Sequence, residues 1–165
     1  MSFNIFVSYS TKDLPQVELL RQQLQGTPIS VFVAEHSVQP SEELAPKISS
    51  AILECDLFVL LWSPNAKKSD WVPQEIGRAT ALNKSILPLV LTENIALPGF
   101  LQGLKYLAIH TNPTESLAKA REIILEAYST KTKHELQLRE QKEKKDKDAL
   151  ALMGIGAFLL WAFSK

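Results

Sequence analysis

Short apolar runs alternate along this chain with longer stretches in which apolar residues recur at helical spacing. Phe3–Ser8 (FNIFVS) is brief, β-branched and aromatic, as a buried strand requires. Asp13 caps a helix-like run, with Pro15 in its first turn and Leu14, Val17, Leu20 and Leu24 recurring among polar residues. Gly26 and Pro28 stop it. Ile29–Val33 reads as a second strand and Glu35–Ser41 as a loop. A second helix places Leu44, Ile48, Ala51 and Ile52 on one face. Leu57–Trp62 (LFVLLW) is nearly unbroken in its apolarity, the pattern of a central parallel strand covered on both faces. Ser63-Pro64-Asn65 ends it, and a third helix runs from Asp70 to about Asn83. Ile86–Leu91 is a fourth strand, with Pro88 pointing to an edge or an irregularity. Tyr106–Ile109 is a fifth. A last helix starts near Thr114 and runs to about Ala127.

This alternation predicts an α/β domain with a parallel sheet. Ligands of such sheets bind beyond the carboxyl ends of the strands. Three stretches meet there: Ser8–Lys12, Glu35–Ser41 and Ser63–Glu75. The third contains SDWVPQEIGRA, in which Glu75 follows Trp71 by one helical turn. With Asp70 as the cap, Pro73 falls in the first turn, where a missing N–H costs nothing. The macrodipole there favours an ionised carboxylate. An ionised acid beside an aromatic plate suits a substrate with a flat ring and a centre that becomes positive. A sugar losing its leaving group through an oxocarbenium-like transition state is one such case. Spacing alone also admits a plain reading, in which Glu75 is a favourable charge at a helix start and Trp71 packs at a rim.

Charge sharpens the picture. The 165 residues have no net charge, yet residues 1–128 hold 10 basic against 13 acidic side chains and residues 129–165 hold 8 against 5. An acidic body with a basic tail argues against a nucleic-acid partner for the main domain. The single cysteine, Cys55, has no partner for an internal disulfide and fits a reducing compartment. Set among Ile52, Leu53, Leu57 and Phe58, it reads as core packing. The opening MSFNIFVSYS lacks a basic region before its apolar run and a cleavage-site pattern, so it does not read as a secretory signal.

Four stretches, in order, resemble a TIR domain (the Toll/interleukin-receptor fold): FVSYS, VFVAEHSVQPSEEL, FVLLWSPNAKKSDWVPQEIGRA and LPGFLQGLKYLAIH. The resemblance covers roughly residues 3–127. It implies a flavodoxin-like fold, a central five-stranded parallel sheet flanked by helices. It further implies cleavage of NAD+ at the nicotinamide–ribose bond, giving nicotinamide and ADP-ribose or a cyclic product, with NAD+ as substrate and neither metal nor bound cofactor. Glu75 aligns with the family's catalytic acid and Trp71 with its stacking aromatic. Tyr9, Ser10 and Thr11 correspond to the loop lining the pocket. Glu35 begins the loop that shapes the site and packs on a neighbouring subunit, so activity is expected on assembly, through TIR–TIR contacts. The departures are Ala34 with Glu35 where members often have Asp, Ser41 where they often have Gly after the proline, and Ser10 where some carry a basic residue. These bear on product and assembly more than on cleavage. His36 is a tempting base, but an exposed loop histidine is more often polar surface.

Residues 129–148 are polar and highly charged, a linker or a solvated helix. Residues 149–165 form a hydrophobic tail whose core, Ala149–Phe163 (ALALMGIGAFLLWAF), carries no charge. As a helix that run would be ~22 Å long, against a hydrocarbon core of ~30 Å. Snorkelling by Lys147 and Lys165 and thinning of the bilayer cover the deficit. Lys142, Lys144, Lys145 and Lys147 precede it and favour a cytoplasmic domain anchored to the inner membrane. An oligomer core is the other reading, with Gly154 and Gly156 permitting close helix contact. Together these features describe a TIR domain over 1–128 that consumes NAD+ in defence or cell-death signalling. A non-enzymatic TIR adaptor is the alternative. A phosphate-responsive domain on a similar fold would want an acidic cluster after the first strand, which is not seen.

Overall fold

Five parallel strands form the sheet that the alternating pattern predicts. The computed structural model describes residues 2–33 and 44–163, with the side chains of residue 100 and residues 150–163 outside that description. The strands are β1 (Phe3–Ser8), β2 (Ile29–Phe32), β3 (Leu57–Trp62), β4 (Ile86–Val90) and β5 (Leu107–Ala108), in spatial order β2-β1-β3-β4-β5. The helices are α1 (Leu14–Gln23), α2 (Leu44–Glu54), a short α3 (Pro64–Lys67), α4 (Val72–Ala81) and α5 (Pro113–Phe163). Residues Met1–Glu126 pack as one compact unit and Ala127–Lys165 form a second.

The pleat sorts the core into two halves. Phe6 of β1 and Phe58, Leu60 and Trp62 of β3 share a cluster with Ile48 and Ile52 of α2 and Val72, Ile76 and Ala79 of α4. Period-two alternation leaves Ile5, Val7, Val59 and Leu61, also buried, for the opposite face. There α1 and the first turns of α5 supply Val17, Leu20, Leu117, Ala120 and Ile124. Phe6 stacks on Phe32 and on Phe58, each at 5.4 Å between ring centroids. These pairs sit in register across β2, β1 and β3 and add specific geometry to the area they bury. Cys55 is core, its thiol bonded to the Ile52 carbonyl at 3.2 Å and its pKa pushed up by burial.

Several expectations need correction. Pro88 does not mark an edge strand: it pairs with Leu60 of β3, and β4 lies inside the sheet. The proline is tolerated because β5 pairs with β4 only from Leu89 onward. Leu44 is 39% exposed rather than part of the buried face, since it is the first residue of α2. Asp70 does not cap α4. The Ser69 hydroxyl accepts from the backbone N–H groups of Trp71 and Val72 at 3.3 and 3.4 Å instead. Nor does α4 reach Asn83, which adopts a left-handed φ of 52° just beyond its end. The Asn83 N–H bonds the Thr80 carbonyl and the Lys84 N–H bonds Ala79, the two bonds of a Schellman stop. The Lys84 ammonium then donates to the carbonyls of Leu53 and Cys55 at 2.6 and 2.8 Å, satisfying the end of α2. The last helix does not stop near Ala127. It continues through the charged segment to Phe163, so residues 129–148 are helical. Among the described residues no helix is long and apolar enough to cross a membrane.

Candidate functional site

A sheet ordered 2-1-3-4-5 reverses its winding between β1 and β3, and the crevice beyond those two strand ends is where such folds bind ligands. Among the described residues the buried polar or charged side chains are Ser8, Ser10, Asp13, Ser63 and Glu75. Ser8 ends β1, Ser10 and Asp13 lie in the turn after it, and Ser63 follows β3. Glu75 comes to them from the first turn of α4. Buried polar groups are costly unless bonded, so their gathering at one crevice is not a by-product of packing.

Glu75 is 8% exposed. Its Oε2 accepts the Ser8 hydroxyl at 2.5 Å. Pleat parity explains the pairing: Ser8 lies two residues beyond Phe6 on the face that α4 covers. Burial pushes the carboxyl's pKa above its ordinary value, and the Ser8 hydrogen bond only partly offsets this. Desolvation thus works against the ionised form that the helix terminus favours. One turn earlier, Trp71 is 48% exposed while its carbonyl accepts the Glu75 N–H at 3.0 Å. An open indole thus stands beside a sunken acid.

The neighbouring loops are tied together by Asp13. It occupies the N-cap position of α1, yet its side chain caps nothing. Instead Oδ2 accepts the Ser63 hydroxyl at 2.5 Å and Oδ1 accepts the Asn65 amide at 2.8 Å. Ser63 in turn accepts from the N–H groups of Asn65 and Ala66, capping α3. The loop after β1 is thereby latched to the loop after β3.

Of the residues singled out in the sequence, Glu75, Trp71, Tyr9, Ser10 and Thr11 all sit at this end of the sheet. Ser10 is buried, Tyr9 half-buried and Thr11 exposed at the start of a 3-10 turn, Thr11–Asp13. Glu35 and His36, with the loop Glu35–Ser41, lie outside the described residues. Sequence reasoning brought Ser8 and Ser63 to this end of the sheet as the first residues of their stretches, but singled out neither of them, nor Asp13, as a site residue. A serine closing an apolar strand, on the same pleat face as Phe6, was the available signal for the first. Nothing in local spacing distinguishes an Asp that caps from one that reaches across to another loop.

The family model for the TIR domain matches residues 5–124. A "Probable 2' cyclic ADP-D-ribose synthase BdTIR" of Brachypodium distachyon is 26% identical over 89 residues, 53% of this chain and 40% of that protein. The "Disease resistance protein RPP5" of Arabidopsis thaliana is 30% identical over 76 residues, 45% of this chain and 5% of that protein. The chain thus spans less than half the length of either curated relative. The solved TIR domain of the Toll-related receptor TRR-2 from Hydra magnipapillata superposes with a TM-score of 0.64 at 20% identity, covering 77% of this chain and 99% of that one. That likeness shows the fold.

Two outcomes follow from the geometry. Ser63→Ala removes a helix cap and one of the two donors to Asp13, and is expected to cost about 1–3 kcal/mol in denaturant unfolding. Ser63→Thr keeps the hydroxyl and should retain most of the stability. For Glu75, a folded-state pKa above the ordinary 4.5 means the folded chain holds a proton the unfolded chain has released. The associated stability is present below the ordinary value and lost as pH rises through the raised one. Glu75→Gln preserves an acceptor for Ser8 and removes that loss. Its stability relative to wild type should therefore grow from acid toward neutral pH and then level off, as urea unfolding at stepped pH would show. A difference that does not change with pH would contradict the buried acid.

Proposed function

Because the chain belongs to the TIR-domain family, we propose that it cleaves NAD+ at the nicotinamide–ribose bond, with Glu75 as the catalytic acid of the site. The observation that carries this reading is the buried Glu75 carboxyl, held at one oxygen by Ser8 beside the exposed ring of Trp71. Ser8 is its hydrogen-bond partner among the described residues, which leaves Oε1 for substrate. In this reaction the glycosidic C–N bond breaks and its electron pair passes to the pyridinium nitrogen, releasing neutral nicotinamide. Positive charge develops at the ribose carbon. A carboxylate in a poorly solvated crevice stabilises that charge far more than it would in water. Attack by water gives ADP-ribose and a proton, and attack by a hydroxyl of the same molecule gives a cyclic product. Trp71 offers a face on which a flat ring stacks. Tyr9, Ser10 and Thr11 are the substrate-binding residues on the loop after β1 in this reading.

Self-association completes the pocket in this reading, and the apolar run Ala149–Phe163 promotes it by anchoring the chain to the inner membrane. Confinement to a surface raises effective concentration without new contacts. For a defence or cell-death role, the support is the resemblance to the disease resistance protein described above.

Glu75→Gln is expected to fold and bind NAD+ but to lose turnover by roughly two orders of magnitude or more, the scale for removing a dominant electrostatic group. Trp71→Phe should be milder than Trp71→Ala. Mass identification of products from concentrated or membrane-reconstituted protein decides the matter. No turnover in an assembled sample would support a non-enzymatic adaptor. Truncation after Ala127 is expected to give a folded domain with low activity when dilute, restored by artificial tethering. Full activity of a dilute monomer would remove any need for the tail or a neighbour.

A further inference from the structure

Two adjacent strands of the sheet end in the same way. Ser8, the last residue of β1, donates its hydroxyl to Glu75 Oε2 at 2.5 Å, and Ser63, just after β3, donates to Asp13 Oδ2 at 2.5 Å. All four side chains are buried. The two carboxylates differ at their second oxygen. Asp13 Oδ1 accepts the Asn65 amide at 2.8 Å, and Ser63 also accepts from the backbone of Asn65 and Ala66. That pair is fully used in holding loops together. Glu75 has Ser8 as its hydrogen-bond partner among the described residues, so its Oε1 is unused. A buried polar pair that served packing alone could be replaced by hydrocarbon of the same shape at little cost.

On the reading that Glu75 is the catalytic acid, we propose that Ser8 is a positioning residue for NAD+ cleavage: its hydroxyl, fixed by the strand, pins Oε2 so that Oε1 is the oxygen presented to the developing ribose cation. Small misplacements of a reacting group are costly, and a strand end is a rigid place from which to prevent them. A hydroxyl that donates to a carboxylate also favours its ionised form, so Ser8 works against the burial that pushes the Glu75 pKa up. Charged neighbours do not take this part. Lys12, Lys67, Asp70 and Arg78, on the flanking segments, are exposed. Lys47 and Glu54 of α2 line a separate cavity beside β2, and Asp13 is held by Ser63 and Asn65.

The full chain labelled with ¹³C-glutamate tests this. The Glu75 carboxyl signal, identified by its loss in Glu75→Gln, is titrated in the wild type and in Ser8→Ala. Ser8→Ala should titrate at higher pH, and the acid limb of kcat/KM for NAD+ should move up with it. On the pH plateau kcat should fall about ten- to hundredfold, the worth of one hydrogen bond to a charged group. KM should stay near the wild-type value, because Ser8 acts through the acid and not on the substrate. Ser8→Thr keeps the hydroxyl and should restore both the titration and kcat. A serine that only supports the fold would lower stability without moving either titration. An unmoved Glu75 titration in folded Ser8→Ala, or an unchanged kcat, would overturn the proposal while leaving cleavage by Glu75 intact. A wild-type chain without turnover in an assembled sample would instead remove the cleavage reading, and with it this role for Ser8. If Ser8→Thr does not fold, the alanine comparison still decides.

Discussion

A single hydrogen bond, from the Ser8 hydroxyl to Glu75, ties β1 to α4, the helix that covers it. A carboxyl that has lost most of its water must have a partner, and at the carboxyl end of β1 that partner is Ser8. The bond therefore sets how far along the strand α4 can slide. With that register set, Val72, Ile76 and Ala79 fall on the core formed by Phe6, Phe58 and Leu60. Trp71 is left outside, one turn above the acid. The chemistry of the crevice and the packing of this half of the domain are thus two results of one contact.

Asp13 plays the complementary part across the crevice floor. Its two carboxylate oxygens accept from residues about fifty positions away in sequence. Loops that carry ligand-binding residues are ordinarily the more mobile parts of a fold. Here both loops are held by buried, charge-assisted bonds, and the cap of α3 depends on the same serine. Rigidity at the site is supplied by polar groups because the strand ends leave no room for more hydrocarbon core.

The strands were legible because their signal is composition over a short length: an unbroken apolar run such as Leu57–Trp62 has few other uses. The positions of Trp71 and Glu75 on one helix were legible from spacing. The burial of Glu75 was not, because it depends on what β1 places over it, a contact between residues 67 apart. Choosing between Ser69 and Asp70 as the cap was equally beyond local reading, since adjacent residues of similar capping strength differ only in where the chain enters the helix. The helical state of residues 129–148 left no amphipathic stripe to find. It rests on the helix-forming preference of Glu, Lys, Gln and Leu, which periodicity does not measure.

The depth at which Glu75 sits has a consequence for what the crevice will accept. An acid whose burial disfavours ionisation becomes charged most readily when a cation enters beside it. The pyridinium of oxidised nicotinamide dinucleotide is such a cation, and the dihydropyridine of the reduced form is not. On the proposed reaction, then, the substrate's own charge favours the ionised form of the acid. The desolvation built into the end of β1 would therefore favour the oxidised dinucleotide over the reduced one on charge, whatever the shape of the pocket contributes.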